Sequence, residues 1–452
     1  MNQMAEQTSE PSLPAQAELE KTIANALEKA KVAGASAAEA AISAESGFCV
    51  TARMGEVETV EHNRDNGLGI TVYFGQRKGS ATTTDTSEQG ILSTVQAACD
   101  IARYTAEDKC AGLADKADLA TEFLDLDMNH PWGIDTSSAI ELAIQCEAAA
   151  LDYDKRVTNS EGGSVSSHTG LRVYGNSHGF LNGYASSYHS ASCAVIAEDE
   201  SGMERDYWYS STRKAESLED MTSIGRKAAE RTLSRLGAQR LTTRKAPILF
   251  SADVAASLLG HFVSAVRGSS LYRKASFMLD RIDEQIFAEH IRIHEQPHLL
   301  AALGSAPFDN EGVVTRPRDL VTAGVLQGYV LDSYSARRLD MQTTGNAGGV
   351  RNLTIEPGEL DAQGLLKKMD TGLLVTELMG SAVNGVTGDY SRGAAGFWVE
   401  GGEIQYPVAE ITIAGHLNDM YKNMVAVGND VDLRRNTRTG SILLEEMTIA
   451  GE

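Results

Sequence analysis

Glycine punctuation constrains this chain more than any other feature. Gly380, Gly385, Gly388, Gly393, Gly396, Gly401, Gly402 and Gly415 cut the later sequence into pieces too short for long helices. That region is committed to short strands and turns. The earlier sequence has different periods. Glu18 to Val32 places Leu19, Ile23, Ala26, Leu27 and Ala30 on one helical stripe. Ala37 to Asp85 alternates, as in Phe48-Cys-Val-Thr-Ala and Leu68-Gly-Ile-Thr-Val-Tyr-Phe, and reads as strands broken at Gly55, Gly67 and Gly75. Helices are predicted over Ser87 to Thr105, with Ile91, Val95, Ala98 and Ile101 on one side, and over Ser137 to Tyr153.

Val157 to Tyr209, rich in Ser, Thr, Tyr and Gly, reads as an antiparallel meander, and Ser217 to Leu236 as an amphipathic helix. A basic patch from Arg240 to Lys245 leads into the strand-like Ala246-Pro-Ile-Leu-Phe and a helix from Ser251 to Val266. The expected class is α+β. Helices flank an antiparallel sheet over residues 17–240, and a β-rich, pseudo-barrel-like domain follows over 241–452, with the boundary between Gly237 and Arg244. Met1 to Gln16 is polar, with neither a basic start nor an apolar core, and reads as a disordered tail rather than a signal peptide.

Charge narrows the function classes. With 40 basic and 62 acidic residues the chain carries −22, which repels phosphate backbones and anionic lipid. Neither nucleic acid nor membrane is an expected partner, and no apolar run approaches the roughly 18 residues of a membrane span. A cytoplasmic location is expected. Cys49, Cys99, Cys110, Cys146 and Cys193 lie in the first half with no CxxC pair, which argues against disulfides and zinc knuckles.

His294-Glu295-Gln296-Pro297-His298 matches H-E-x-x-H literally, but that motif works only on a helix. Pro297 removes a helical N–H and clashes with the carbonyl of Ile293, so the pair should be split between two elements. The helix from Ser251, its expected N-cap, puts Val254, Leu258, His261 and Ala265 on one face. A lone histidine there is expected to be a hydrogen-bonded core residue. Gly388-Asp-Tyr-Ser-Arg-Gly reads as a turn whose N–H groups could cradle an anion. Tyr174-Gly-Asn-Ser-His-Gly and Tyr188-His-Ser-Ala-Ser read as polar sheet faces. No nucleophile elbow, P-loop or Rossmann fingerprint is present.

Several long runs nevertheless resemble one family. Asn66-Gly-Leu-Gly-Ile-Thr-Val-Tyr, Gly175-Asn-Ser-His-Gly-Phe-Leu, Met203-Glu-Arg-Asp-Tyr, Tyr334-Ser-Ala-Arg-Arg-Leu and Thr344-Gly-Asn-Ala-Gly-Gly occur in order, followed by Thr371 to Gly380, Gly388 to Gly402 and Val427-Gly-Asn-Asp. They resemble the TldD/PmbA family of zinc peptidases, and within it the PmbA/TldE branch. In the family's catalytic TldD chains, a helix after the interdomain strand carries H-E-x-x-x-H, and a cysteine near the C-terminus adds a third ligand. That motif falls here on Ala256-Ser257-Leu258-Leu259-Gly260-His261, and Leu433 to Ile442 holds no cysteine. Ala256 cannot bind metal and Ser257 cannot act as a carboxylate base.

The resemblance therefore implies a chain without catalytic, cofactor-binding or metal-binding residues of its own, the motif positions Ala256, Ser257 and His261 being degenerate. Zinc is expected in a TldD-like catalytic partner. The implied heterodimer closes a chamber over one active site and handles small or unfolded polypeptides, such as a peptide antibiotic precursor or an antitoxin. An extended peptide could pair with strand edges of the chamber wall. Two alternatives remain open. One is a metalloprotease active as a homodimer, with metal held by His261 or by His290, His294 and His298. The other is a protein-binding regulator of the gyrase-modulator type.

Overall fold

Leu19, Ile23, Ala26 and Ala30 recur at helical spacing. In the computed structural model, which describes residues 13–451, they form the buried stripe of α1 (Gln16–Val32). The tail expected over Met1 to Gln16 lies outside the described residues as far as residue 12, and Gln16 already opens α1. The alternating segment gives β1 (Ala37–Arg53), β2 (Glu56–Phe74) and β3 (Arg77–Thr83). Helix α2 (Glu88–Tyr104) starts where the Ser87 side chain accepts the Gly90 N–H. Ile101, expected on its apolar side, is exposed. At about 100° per residue the stripe through Ile91, Val95 and Ala98 runs on to Ala102 instead.

Helix α3 (Thr136–Leu151) is capped by Asp135, which accepts the Ser138 N–H at 2.7 Å. The expected meander is β4 (Val157–Asn176), β5 (Leu181–Asp199) and β6 (Gly202–Thr212), and α4 (Met221–Ser234) follows. The six strands are ordered β3-β2-β1-β4-β5-β6, with β6 at one end, antiparallel to β5 from His189 opposite Thr212 to Asp199 opposite Gly202.

Two compact units result. The first holds the chain as far as Phe48, Glu61–Leu113 and Ser167–Ser187. The second holds Cys49–Val60, Ala114–Ser166 and everything from Tyr188 onward. In the first, α1 and α2 bury their stripes against Ala38, Ile42, Leu68, Ile70, Val72 and Leu171. In the second, Glu147 of α3 is fully buried, and its two oxygens accept the N–H groups of Met54 and Gly55 at 2.8 and 2.9 Å. Gly225 of α4 sits against α3 so closely that a Cβ there would lie 2.0 Å from the Cys146 carbonyl oxygen.

The second unit continues with β7 (Arg244–Phe250), α5 (Ala252–Val266) and α6 (Gly268–Tyr272). Next come β8 (Ile293–Glu295), β9 (Arg318–Thr322), β10 (Val325–Leu326), α7 (Ser333–Arg338) and β11 (Leu353–Ile355). The chain ends with α8 (Ala362–Met369), β12 (Gly372–Met379), β13 (Asp389–Glu400), β14 (Glu403–His416), α9 (Leu417–Lys422), β15 (Met424–Val427), β16 (Thr437–Arg438) and β17 (Ile442–Ala450). Strand β7 pairs in parallel with β12 and antiparallel with β17, while β12, β13 and β14 form successive antiparallel pairs. Strand β14 then pairs with β17, Thr412 opposite Ala450, and closes β14-β13-β12-β7-β17 into a five-stranded barrel. A small sheet, β10-β9-β8-β11-β16, accompanies it. The fold is α+β with a barrel in its second half, as the glycine punctuation requires.

Helix α5 contributes Ala255, Leu258, Leu259, Phe262, Ala265 and Val266 to the same core as Ile248, Val375, Ile413 and Leu444. Phe262 meets Phe287 edge-on at 5.1 Å, and Tyr421 stacks on Phe287 at 4.5 Å. Each large side chain buried here stabilises the fold by about 1.5–3 kcal/mol, so α5 is held by packing on several sides. No helix among the described residues is long and apolar enough to cross a membrane.

Replacing Gly225 by Ala should destabilise the chain by about 1–3 kcal/mol, because α3 and α4 must part to admit the methyl group. Denaturant unfolding checks this, and an unchanged midpoint would refute the close approach.

Candidate functional site

Helix α5 is buried on most sides, and what remains of its surface opens onto a cleft. Asp253, Val254, Ala256 and Ser257 line a cavity of about 590 Å³. The other walls come from β6 (Arg205, Asp206, Tyr207), α4 (Arg231) with Arg235 beyond it, β12 (Thr376, Glu377, Leu378), Arg392 of β13, and Arg435 to Thr437. Ala256 and Ser257, two of the three positions on which the resemblance lays a zinc motif, thus face an open cleft.

Ion pairs organise these walls. Asp206 lies 3.4 Å from Arg231 and 3.5 Å from Arg235. Arg231 also reaches Asp253 at 3.3 Å, and Arg235 reaches Glu377 at 2.5 Å. These carboxylates hold the Arg235 guanidinium above its ordinary pKa, against the opposing effect of burial. Arg205 pairs with Glu161 at 2.5 Å, and Arg435 donates to the Tyr209 hydroxyl at 2.7 Å. Arg434 spreads its guanidinium over Trp208 at 4.1 Å and Tyr209 at 4.4 Å while pairing with Asp432 at 2.8 Å. Lys227 and Arg231 lie over the same Trp208 ring at 5.1 and 5.4 Å.

Arg392 differs from its neighbours. It donates to the Leu378 carbonyl at 3.3 Å, its Nε is buried without a hydrogen-bond partner, and among the described residues no carboxylate lies within ion-pairing distance of it. Beside it are His261 and Tyr390, whose rings meet edge-on at 5.9 Å. Burial, reinforced by the Arg392 charge, holds the His261 imidazole below its usual pKa, so it is neutral at pH 7. Burial pushes the Tyr390 phenol up to about 12, against the opposing pull of Arg392. The expectation of a hydrogen-bonded core residue at His261 does not hold. It is half-buried, and its Nε2 has no hydrogen-bond partner among the described residues.

The donor set at the motif positions does not fit a zinc ion, which takes about four N, S or O ligands. Ala256 offers no donor, and the Ser257 hydroxyl donates to the Val254 carbonyl at 2.7 Å. Arg392 sets a fixed positive charge beside His261, where a dication would be repelled. Ser251 holds the N-cap position of α5 without capping it, since its hydroxyl donates to Asp253 rather than accepting a backbone N–H.

His294 and Glu295 lie in β8 and Pro297 in a turn, so H-E-Q-P-H is not helical. His294 lies 3.6 Å from Glu356, His298 bonds the Thr315 hydroxyl at 3.1 Å, and His290 joins neither. Among the described residues, no three His, Cys, Asp or Glu side chains are grouped to hold a metal. Glu295 instead anchors the Thr344 to Arg351 loop. It accepts from Asn346 at 2.8 Å and the Arg351 N–H at 2.6 Å, and it pairs with Arg318 at 3.1 Å. Burial still raises its pKa above the ordinary value. Asp309 does the same work nearby, accepting the N–H groups of Glu311, Val313 and Ala347 at 2.8–2.9 Å.

Two further expectations change. Gly388 to Gly393 enters β13 and is a strand rather than an anion-cradling turn, so its contribution to the cleft is the Arg392 side chain. Tyr174 to Gly179 ends β4 and turns, with Asn176 accepting the His178 and Phe180 N–H groups. Tyr188 to Ser192 does lie in a sheet, with Tyr188 exposed and His189 buried against the His130 carbonyl at 2.8 Å. Sequence reasoning missed the arginine cleft, whose members come from separate elements with no common spacing. Arg205 and Arg392 lie in runs that carried the family resemblance, and that is the one signal available.

Metalloprotease PmbA of Escherichia coli O157:H7 is 54% identical to this chain over 434 residues, 96% of each. The chain belongs to the PmbA/TldD metallopeptidase family. Models of the PmbA/TldA metallopeptidase match domain 1 at residues 38–102, the central domain at 129–236 and the C-terminal domain at 243–451. A metalloprotease PmbA homolog from Haemophilus influenzae is 51% identical, again over 96% of each chain. A crystal structure of a Bacteroides thetaiotaomicron protein, described as a candidate modulator of DNA gyrase, superimposes with a TM-score of 0.92. It has 29% identity and covers 96% of this chain and 99% of its own. TldE of Thermococcus kodakarensis, 19% identical with a TM-score of 0.84 over 95% of this chain, shares the fold.

Burial raises the Asp309 carboxyl to about 7, with Glu311 adding repulsion and the three N–H groups opposing both. A folded-state pKa above the unfolded value favours folding at low pH. That contribution should fall away as pH rises from about 4 through about 7. Wild type should lose stability relative to Asp309→Asn across that window in denaturant titrations. A difference that stays flat contradicts the assignment.

Proposed function

We propose that this chain is the non-catalytic subunit of a two-chain metallopeptidase. A TldD-like partner carries the zinc and the general base, and this chain contributes assembly and access for small or unfolded peptides in the cytoplasm. The observation that carries the reading is the chemistry of α5. Its cleft-facing motif positions are Ala256 and Ser257, neither of which can ligate zinc or serve as a carboxylate base. The high identity to proteins named metalloprotease PmbA supports a place in peptide hydrolysis, and the loss of donors supports a place beside the active chain. An open cleft walled by the end strand β6 suits an extended polypeptide, whose backbone can lie along a strand.

Bound zinc and cleavage of an unfolded peptide, measured on the purified chain with and without a TldD-like chain, test this. The chain by itself should hold far less than one zinc and cleave nothing, and chelator-sensitive cleavage should appear with the partner. Stoichiometric zinc and cleavage by this chain alone would overturn the proposal. His261→Ala should lower stability by about 1–2 kcal/mol and leave turnover of the assembled pair little changed. A large loss of turnover in an intact pair would make His261 part of the chemistry.

A further inference from the structure

Charge does not balance in the cleft beside α5. Five arginines line it, Arg205, Arg231, Arg235, Arg392 and Arg435, against three carboxylates, Asp206, Asp253 and Glu377. Arg231 and Arg235 account for all three carboxylates. Arg205 turns to Glu161, and Arg435 to Tyr209, with Asp432 at 3.8 Å. Among the described residues Arg392 has no carboxylate within ion-pairing distance. Its immediate neighbours cannot supply an anion, since His261 is neutral or positive and Tyr390 keeps its proton at physiological pH. No well-aligned hydrogen bond joins the Tyr390 hydroxyl to the guanidinium. A guanidinium taken partly out of water without a counter-charge is costly.

We infer that this cleft is a carboxylate-binding subsite for a peptide, with the Arg392 guanidinium as the group that holds the carboxylate. The planar fork of an arginine matches a carboxylate through two parallel N–H···O bonds. A phosphate would satisfy the same fork, but Asp206, Asp253 and Glu377 repel a dianion more strongly than a monoanion. Val254, Ala256 and Leu378 in the same walls give the attached chain an apolar surface to lie on. The inference deepens the reading above and rests on peptides being what the chain meets; what it adds is the group recognised. The carboxylate can come from a peptide C-terminus or from an acidic side chain.

Four fluorescently labelled unstructured peptides separate these sources: C-terminal acid or amide, each with an internal Asp or Asn. Their affinities for the full chain are read by fluorescence anisotropy at fixed, low salt. Removing the recognised carboxylate should weaken binding by about tenfold or more, and which removal does so identifies the source. Arg392→Gln should abolish the preference and Arg392→Lys should retain part of it, with melting curves confirming that both variants fold. Equal affinity of all four peptides for the wild-type chain, or no binding of any, overturns the inference whatever the variants do. So does a preference that persists in folded Arg392→Gln. The subunit reading fails separately. A carboxylate preference in a chain that never supports cleavage with its partner would sink that reading alone, and cleavage without any preference would sink this one alone.

Discussion

The pairing of β14 with β17 is the constraint on which the site depends. Without it, β14-β13-β12-β7-β17 would be an open sheet with β14 as an unpaired edge. With it, the strands curl into a barrel, and β7, hydrogen-bonded on both sides, delivers the chain directly into α5. Because β7 and β12 run parallel, a long connection must join them, and residues between Phe250 and Gly372 supply it. That connection contains α5 and most of the small sheet. The helix is therefore fixed at its start by the barrel and along its length by Leu258, Phe262 and Val266. Only the turn around Asp253 to Ser257 is left to form a wall. Gly396 shows how tightly the barrel is drawn, since a Cβ there would lie 1.8 Å from the Leu374 carbonyl oxygen.

Much of this is legible in the sequence because it is local. Capping residues mark the start of α2 and α3, and a 4-3-4 apolar spacing gives the buried stripe of α2, though not the exposure of Ile101. Proline at 297 is enough by itself to rule out a helical zinc motif, and His294 and Glu295 duly lie in a strand. Barrel closure is not legible, because Thr412 meets Ala450 through a pairing that no short window contains. The arginine cleft fails for the same reason. Arg205, Arg231 and Arg392 belong to β6, α4 and β13, and only the fold gives them a common space. Gly388 to Gly393 is suggestive for the wrong reason: its glycines imply a turn with free N–H groups, whereas the strand presents a side chain.

The family's catalytic chemistry and this cleft are related by charge. A zinc ion and a guanidinium both offer positive charge to an oxygen of a peptide, but only the metal can polarise water for attack. Beside Ala256 and Ser257 of α5, the Arg392 guanidinium of β13 supplies positive charge to the same cleft. In the subunit proposed above, such an arrangement would keep electrostatic attraction for a peptide oxygen without supplying hydrolysis. The overall charge of −22 sharpens this, because it repels an anionic peptide on approach, whereas arginines outnumber acids in this cleft.

The cations gathered on Trp208 have an optical consequence. Indole emission shifts with the placement of nearby charges, and here Lys227, Arg231 and Arg434 all lie over one ring while Glu219 accepts its N–H at 3.2 Å. Arg231 is also a wall of the cleft. Anything that draws Arg231 away from Asp206 or Asp253 must alter the field on that indole. The chain has two other tryptophans, Trp132 and Trp398, so a colour change could be traced to Trp208 by replacing those two with phenylalanine. The wall of the site thus carries its own unlabelled reporter.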